Sequence, residues 1–129
     1  MLPILNLLRW IFSLFAALLS MFNINIQKTT VEFYDNPASG YEWEYEADKA
    51  GILALSESRY TPDSASALSG KGGGTRHFTF KAIGKGTVNI IFRYVKYEND
   101  EKTVASEYTY TFTVEDDGTI TQKDNQTGL

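Results

Sequence analysis

From Tyr41 to Glu46, YEWEYE, aromatic rings occupy every odd position and carboxylates every even one. An extended strand points successive side chains to opposite faces, so it alone buries one set while wetting the other. The same period of two places Phe78, Phe80 and Ala82 inward, with His77, Thr79 and Lys81 outward. It places Val88, Ile90, Phe92 and Tyr94 inward, leaving Ile91 as an apolar misfit outside, and Tyr108, Tyr110, Phe112 and Val114 inward with threonines outside. Weaker alternation predicts strands around Val31 and Phe33, around Leu53 and Leu55, and at 23–26. Six or seven short strands with turn signals between them, and no amphipathic helix, predict an all-β chain. The expected form is an immunoglobulin-like β-sandwich of about seven antiparallel strands.

A length of 129 residues suits one such domain. The aromatic content of 14%, with only 3 Pro, agrees with strands. Absence of cysteine excludes a disulfide framework, a thiolate metal site and a cysteine nucleophile. A net charge of −4 argues against a nucleic-acid partner.

Residues 1–22 are almost wholly apolar, with Arg9 their single basic residue. They read as a signal peptide or a membrane anchor, with a buried core helix as the third reading. Either main reading makes the protein exported, whether secreted, periplasmic or on the cell surface, and it touches a membrane only through 1–22 if that segment is uncleaved. The domain is expected over 23–115, followed by a polar tail at 116–129.

Short connections at 47–51 and 83–86 alternate with longer ones: Asn36–Gly40, Thr61–Thr75 and Lys96–Val104. In an antiparallel sandwich every second connection lies at the same end, so these three are expected to cluster as the working surface. Catalysis finds little here. His77 is the only histidine and sits on an outward position. Glu42, Glu44 and Glu46 read as a solvated strand face. Ser69–Thr75 fails as a phosphate loop because Ala65 and Gly72 stand where the motif needs glycine and Ser or Thr. Its glycines instead suit a backbone that approaches another surface closely.

Asn36-Pro37-Ala38-Ser39-Gly40-Tyr41-Glu42-Trp43 resembles the first-loop motif N-P-[ST]-T-G-[YF]-x-W of the chagasin family of cysteine-protease inhibitors, departing by two small residues. The second-loop motif G-x-G-G, followed by a phenylalanine-rich strand, is similar to Gly70-Lys71-Gly72-Gly73-Gly74 before HFTFKA. One inserted residue leaves Gly72-Gly73 and Gly73-Gly74 as alternative equivalents. The third-loop motif R-[PS]-W is not matched: in its place stand Lys96 and Tyr97, or Arg93 and Tyr94 two or three residues earlier. Lysine does not supply arginine's bidentate geometry.

The resemblance covers Lys28–Glu115 and implies an immunoglobulin-like monomer that reversibly and competitively inhibits papain-like cysteine proteases, without cofactor or metal. It implies that Asn36, Pro37, Ala38, Ser39, Gly40 and Tyr41, then Gly70, Lys71, Gly72, Gly73 and Gly74, then Lys96 and Tyr97 enter or flank the cleft, with Ser39 over the catalytic pair. The alternatives are an immunoglobulin-like adhesion or structural module without inhibitory activity and, more weakly, an enzyme.

Overall fold

The computed structural model describes residues 27–64 and 72–125. The apolar segment 1–22, the strand expected at 23–26, and Gly70 and Lys71 lie outside them. The strands are β1 (Lys28–Asp35), β2 (Glu42–Ala47), β3 (Leu53–Pro62), β4 (Gly74–Ala82), β5 (Gly86–Glu98), β6 (Glu101–Val114) and β7 (Ile120–Asn125). They form two antiparallel sheets, ordered β1-β4-β3 and β2-β5-β6-β7. This is the expected immunoglobulin-like sandwich.

The alternation drives the layering. Val31, Phe33, Phe78 and Phe80 from one sheet meet Val88, Ile90, Phe92, Phe112 and Val114 from the other in one buried cluster. Each such side chain contributes roughly 1.5–3 kcal/mol of burial. Phe92, fully buried, touches the rings of Phe33, Phe78, Phe80 and Tyr110 at centroid separations of 4.9 to 6.1 Å.

Edge strands relax the pattern. Tyr45 and Leu55, both inward by parity, are each 39% exposed because β2 and β3 border the open side of the sandwich. A bulge between Leu55 and Glu57 then shifts parity, so that Ser58 faces inward opposite Phe78.

Two departures concern connections. The third loop is not an irregular loop over Lys96–Val104. β5 and β6 stay paired to Glu98 and Glu101, and the chain turns through Asn99 (φ 50°) and Asp100 (φ 63°). A two-residue turn with both φ positive matches the strand twist. A register shift after Tyr94, paired with Ser106, leaves Ala105 unmatched.

The expected polar tail contributes β7. Its chain reverses at Glu115–Thr119, where the Gly118 N–H donates to the Glu115 carbonyl and the Glu115 N–H to the Thr119 carbonyl, both at 2.9 Å. ITQKDN carries no alternating large apolar residues, so ladder hydrogen bonds to β6 hold it more than burial does.

Register sets the loops' positions. Asp35 pairs with Gly74, which pairs with Pro62, and Glu42 pairs with Val95. These pairings gather the turn after β1, the loop before β4 and the β5–β6 ribbon at one end.

Candidate functional site: the loop-bearing end

Pro37–Ser39 forms a single 3₁₀ turn between Asn36, in extended conformation, and Gly40, in the left-handed region at φ 83°. Proline presets φ at the first turn position, and glycine accepts the left-handed exit without strain. The Ser39 N–H donates to the Asn36 carbonyl at 2.9 Å, and the Ser39 hydroxyl donates to the same oxygen at 2.6 Å. The Tyr41 N–H donates to Ser39 Oγ at 3.2 Å. The serine side chain therefore closes the turn from within. Pro37, Ala38, Ser39 and Gly40 are all exposed.

The turn hangs from the core. Tyr94 is buried, and its Oη accepts the Asn36 N–H at 2.8 Å. That hydroxyl also lies 3.2 Å from Asp35 Oδ1 and 3.4 Å from Ser39 Oγ. Asp35, 2% exposed, is neutralised by Arg76, whose Nε donates to Oδ2 at 3.1 Å. A buried carboxylate persists only when paired and hydrogen-bonded, and this one is both.

Rings continue the support outward. Trp43 stacks on Phe33 at 4.3 Å and on Tyr94 at 4.9 Å, and Tyr94 stacks on Tyr41 at 5.3 Å. The Trp43 indole N–H donates to the Tyr34 carbonyl at 2.8 Å. Lys96 completes the column, with Nζ 5.7 Å from the Tyr41 ring centre and its stem beside Gly40. A side chain at Gly40 would press on that stem.

The second loop reaches β4 through Gly72 (φ 105°), Gly73 and Gly74. Gly73 and Gly74 are buried while Gly72 is exposed. A Cβ on Gly73 would overlap the Tyr34 ring, and one on Gly74 would overlap the Thr61 carbonyl. The last two glycines are thus architectural, and only Gly72 of the three faces outward.

On the outer face of the second sheet the glutamate row is more than wet. Tyr97 Oη donates to Glu44 Oε2 at 2.7 Å, and the Lys102 ammonium pairs with Oε1. These donors hold the Glu44 carboxyl below the usual carboxylate range, Lys102's more strongly than Tyr97's, and Glu44 in turn raises Lys102 and Tyr97. Arg93 bridges Glu46 at 3.0 Å and Glu107 at 2.9 Å. Hydrogen bonds from these two carboxylates raise its pKa, Glu46 first.

A sequence model described as Chagasin family peptidase inhibitor I42 matches residues 25–114. The chain belongs to the chagasin family. Among solved structures, the cysteine protease inhibitor EhICP2 from Entamoeba histolytica aligns with a TM-score of 0.59 at 19% identity, covering 68% of this chain and 78% of that one. That likeness shows the shared fold. A comparison with curated proteins gives no match.

In this chagasin-family chain the residues expected from the first loop, Asn36 to Tyr41, lie at the same end as Gly72, and Gly40 and Tyr41 among them adjoin Lys96. Gly70 and Lys71 lie outside the described residues. Tyr97 stands on the outer face of the ribbon, 54% exposed, away from Lys96's column. The alternative third-loop pair is built into the scaffold: Arg93 holds the glutamates and Tyr94 holds the turn. Sequence reasoning missed Asp35, Arg76 and the Tyr94 hydroxyl. The signal was available in parity, because Asp35 continues the inward series of Val31 and Phe33. Chemically the end presents a stiff ridge of small side chains. Ser39 Oγ is engaged by backbone, and His77 lies on the first sheet 3.1 Å from Glu32.

Proposed function

We propose that this protein inhibits papain-like cysteine proteases reversibly and competitively, by seating the Asn36–Gly40 turn in the active-site cleft. Such a cleft is narrow, with a thiolate-imidazolium pair at its floor. A plug that fits it must be slim and already ordered, since side chains and loops frozen on docking reduce affinity. The observation that carries the reading is the turn's suspension from Tyr94 and Asp35, which orders the family motif before any partner arrives. The Entamoeba neighbour, named as a cysteine protease inhibitor, agrees with it.

In this reading Ala38 and Ser39 cover the catalytic pair, and Gly70, Lys71 and Gly72 lie along one side of the cleft. Gly73 and Gly74 hold that loop in place, Lys96 braces Gly40 and Tyr41, and Tyr97 offers its ring to the opposite wall. The protein acts as an exported monomer without enzymatic activity, cofactor or nucleic acid, and residues 1–22 direct its export or tether it to a membrane.

The test is titration of papain and a cathepsin-L-like enzyme with the folded domain from Asn23 onward. A rise in apparent KM at unchanged kcat is expected, and no inhibition at micromolar concentration overturns the proposal. The second reading, an adhesion or structural module, draws on Lys96 and Tyr97, which bind Glu98 and Glu44 of their own chain. It predicts a folded domain that leaves both proteases active.

A further inference from the structure

On the flank where β1 faces β6 and β7, the seam between the sheets is closed in its lower half and open in its upper half. Below, Thr29 Oγ1 donates to Gln122 Oε1 at 3.3 Å. Above lies a cleft of about 590 Å³ whose walls include Phe33, Trp43, Tyr108, Tyr110, Ser106 and Asp124. The unmatched Ala105 beside Ser106 also lines it.

The cleft has an excess of acceptors. Asp124 pairs with Tyr110 across the β6–β7 ladder, so its carboxylate shares the inner face with the rings. Asp124 is exposed at the rim; among the described residues its carboxylate has no ion pair or hydrogen bond, and the hydroxyls of Tyr108, Tyr110 and Ser106 have no hydrogen-bond partner. Glu32 lines the β1 lip, with its carboxylate turned to His77 at 3.1 Å on the outer face of the first sheet. Among the described residues no lysine or arginine lines the space. Burial and the neighbouring Asp124 hold the Tyr110 phenol above its ordinary pKa, so it remains a hydroxyl at neutral pH. The faces of Trp43 are covered by Phe33 and Tyr94, so the rings act as apolar walls.

A ligand complementary to such a cleft has a flexible apolar stem and a cationic, donor-rich head. Guanidinium offers five N–H donors and no acceptor, and its stem packs along apolar surface. We propose that the cleft receives an arginine side chain of a partner polypeptide, with the guanidinium against Asp124 and the hydroxyls of Tyr110 and Ser106, and the stem against Phe33 and Tyr108. Trp43 and Tyr94 line the cleft as well as supporting the turn, but Asp124 touches neither the turn nor its anchors, so Asp124→Asn tests the cleft without disturbing the turn's own hydrogen bonds.

The probe is n-butylguanidinium, titrated into the ¹⁵N-labelled full chain, with signals followed at the Trp43 indole and the Ser106 and Asp124 amides. Saturable shifts confined to these residues are expected, with neutral n-butylurea inert. Asp124→Asn, which breaks no internal pair, is expected to weaken binding about tenfold at unchanged Tm, and Tyr110→Phe less. Nα-acetylarginine N-methylamide is expected to saturate the same signals. Spermidine, whose internal charge interrupts its stem, is expected to bind at least about fivefold more weakly, because its one inner ammonium group would be desolvated against apolar walls. Unsaturable shifts, equal binding of butylurea, unaltered affinity in Asp124→Asn, or spermidine binding as tightly as the arginine derivative would each overturn the assignment.

Discussion

Tyr94 Oη lies 3.2 Å from the buried Asp35 carboxylate and accepts the Asn36 N–H at 2.8 Å, so one core hydroxyl joins the sandwich interior to the exposed turn. Tyr94→Phe keeps the ring stack but strands a backbone donor and removes a donor from a carboxylate. The expected loss is about 1–3 kcal/mol in urea unfolding, with faster hydrogen exchange at Asn36 and Ser39. Unchanged stability would mean the hydroxyl is idle.

Gly73 and Gly74 are expected to differ when a methyl group is added. At Gly74 the added carbon meets the Thr61 carbonyl, which belongs to a paired strand and cannot withdraw. At Gly73 it meets the ring of Tyr34, which is 63% exposed and free to swing aside. Gly74→Ala should therefore cost at least about 2 kcal/mol and Gly73→Ala about 1 kcal/mol, measured by chemical denaturation. The reverse order would show that the strand yields more easily than the side chain.

Glu44 couples β2 to the β5–β6 ribbon in a pH-dependent way. Hydrogen bonds from Lys102 and Tyr97 put its folded pKa below the ordinary 4.5, so its contribution is complete above that value. It is lost as pH falls through the folded pKa. Glu44→Gln should be less stable than the parent at pH 7 by no more than about 1 kcal/mol, the range of solvent-screened pairs. That difference should shrink toward zero as the pH drops below 4.5. A pH-independent difference between the two proteins would assign the effect to packing.

Much of this could be read from residue order, because period two is a direct image of strand geometry. Phe78, Phe80, Val88, Ile90, Phe92, Phe112 and Val114 are buried where parity places them. β7 was not legible, since an edge strand held by ladder bonds needs no apolar alternation. Nor was the continuation of β5 and β6 past Lys96, which depends on Asn99 and Asp100 tolerating positive φ. At the candidate site the motif Asn36–Gly40 stood out, whereas its anchorage did not. Pairing Asp35 with Arg76 and Tyr94 requires knowing which strands become neighbours.

The most direct measurement concerns Ala38, exposed in the turn, for which no side-chain hydrogen bond is possible. Ser39 is a poorer probe because its hydroxyl closes the turn. Inhibition of papain by Ala38→Trp should be compared with that by the parent protein, with unfolding measured on both. A large indole at the tip should leave stability within about 0.5 kcal/mol, as for surface substitutions generally. It should weaken inhibition by at least about 100-fold, the cost of forcing a bulky group into a fitted cleft. Undiminished inhibition by the stable variant would contradict the claim that this turn occupies the protease active site.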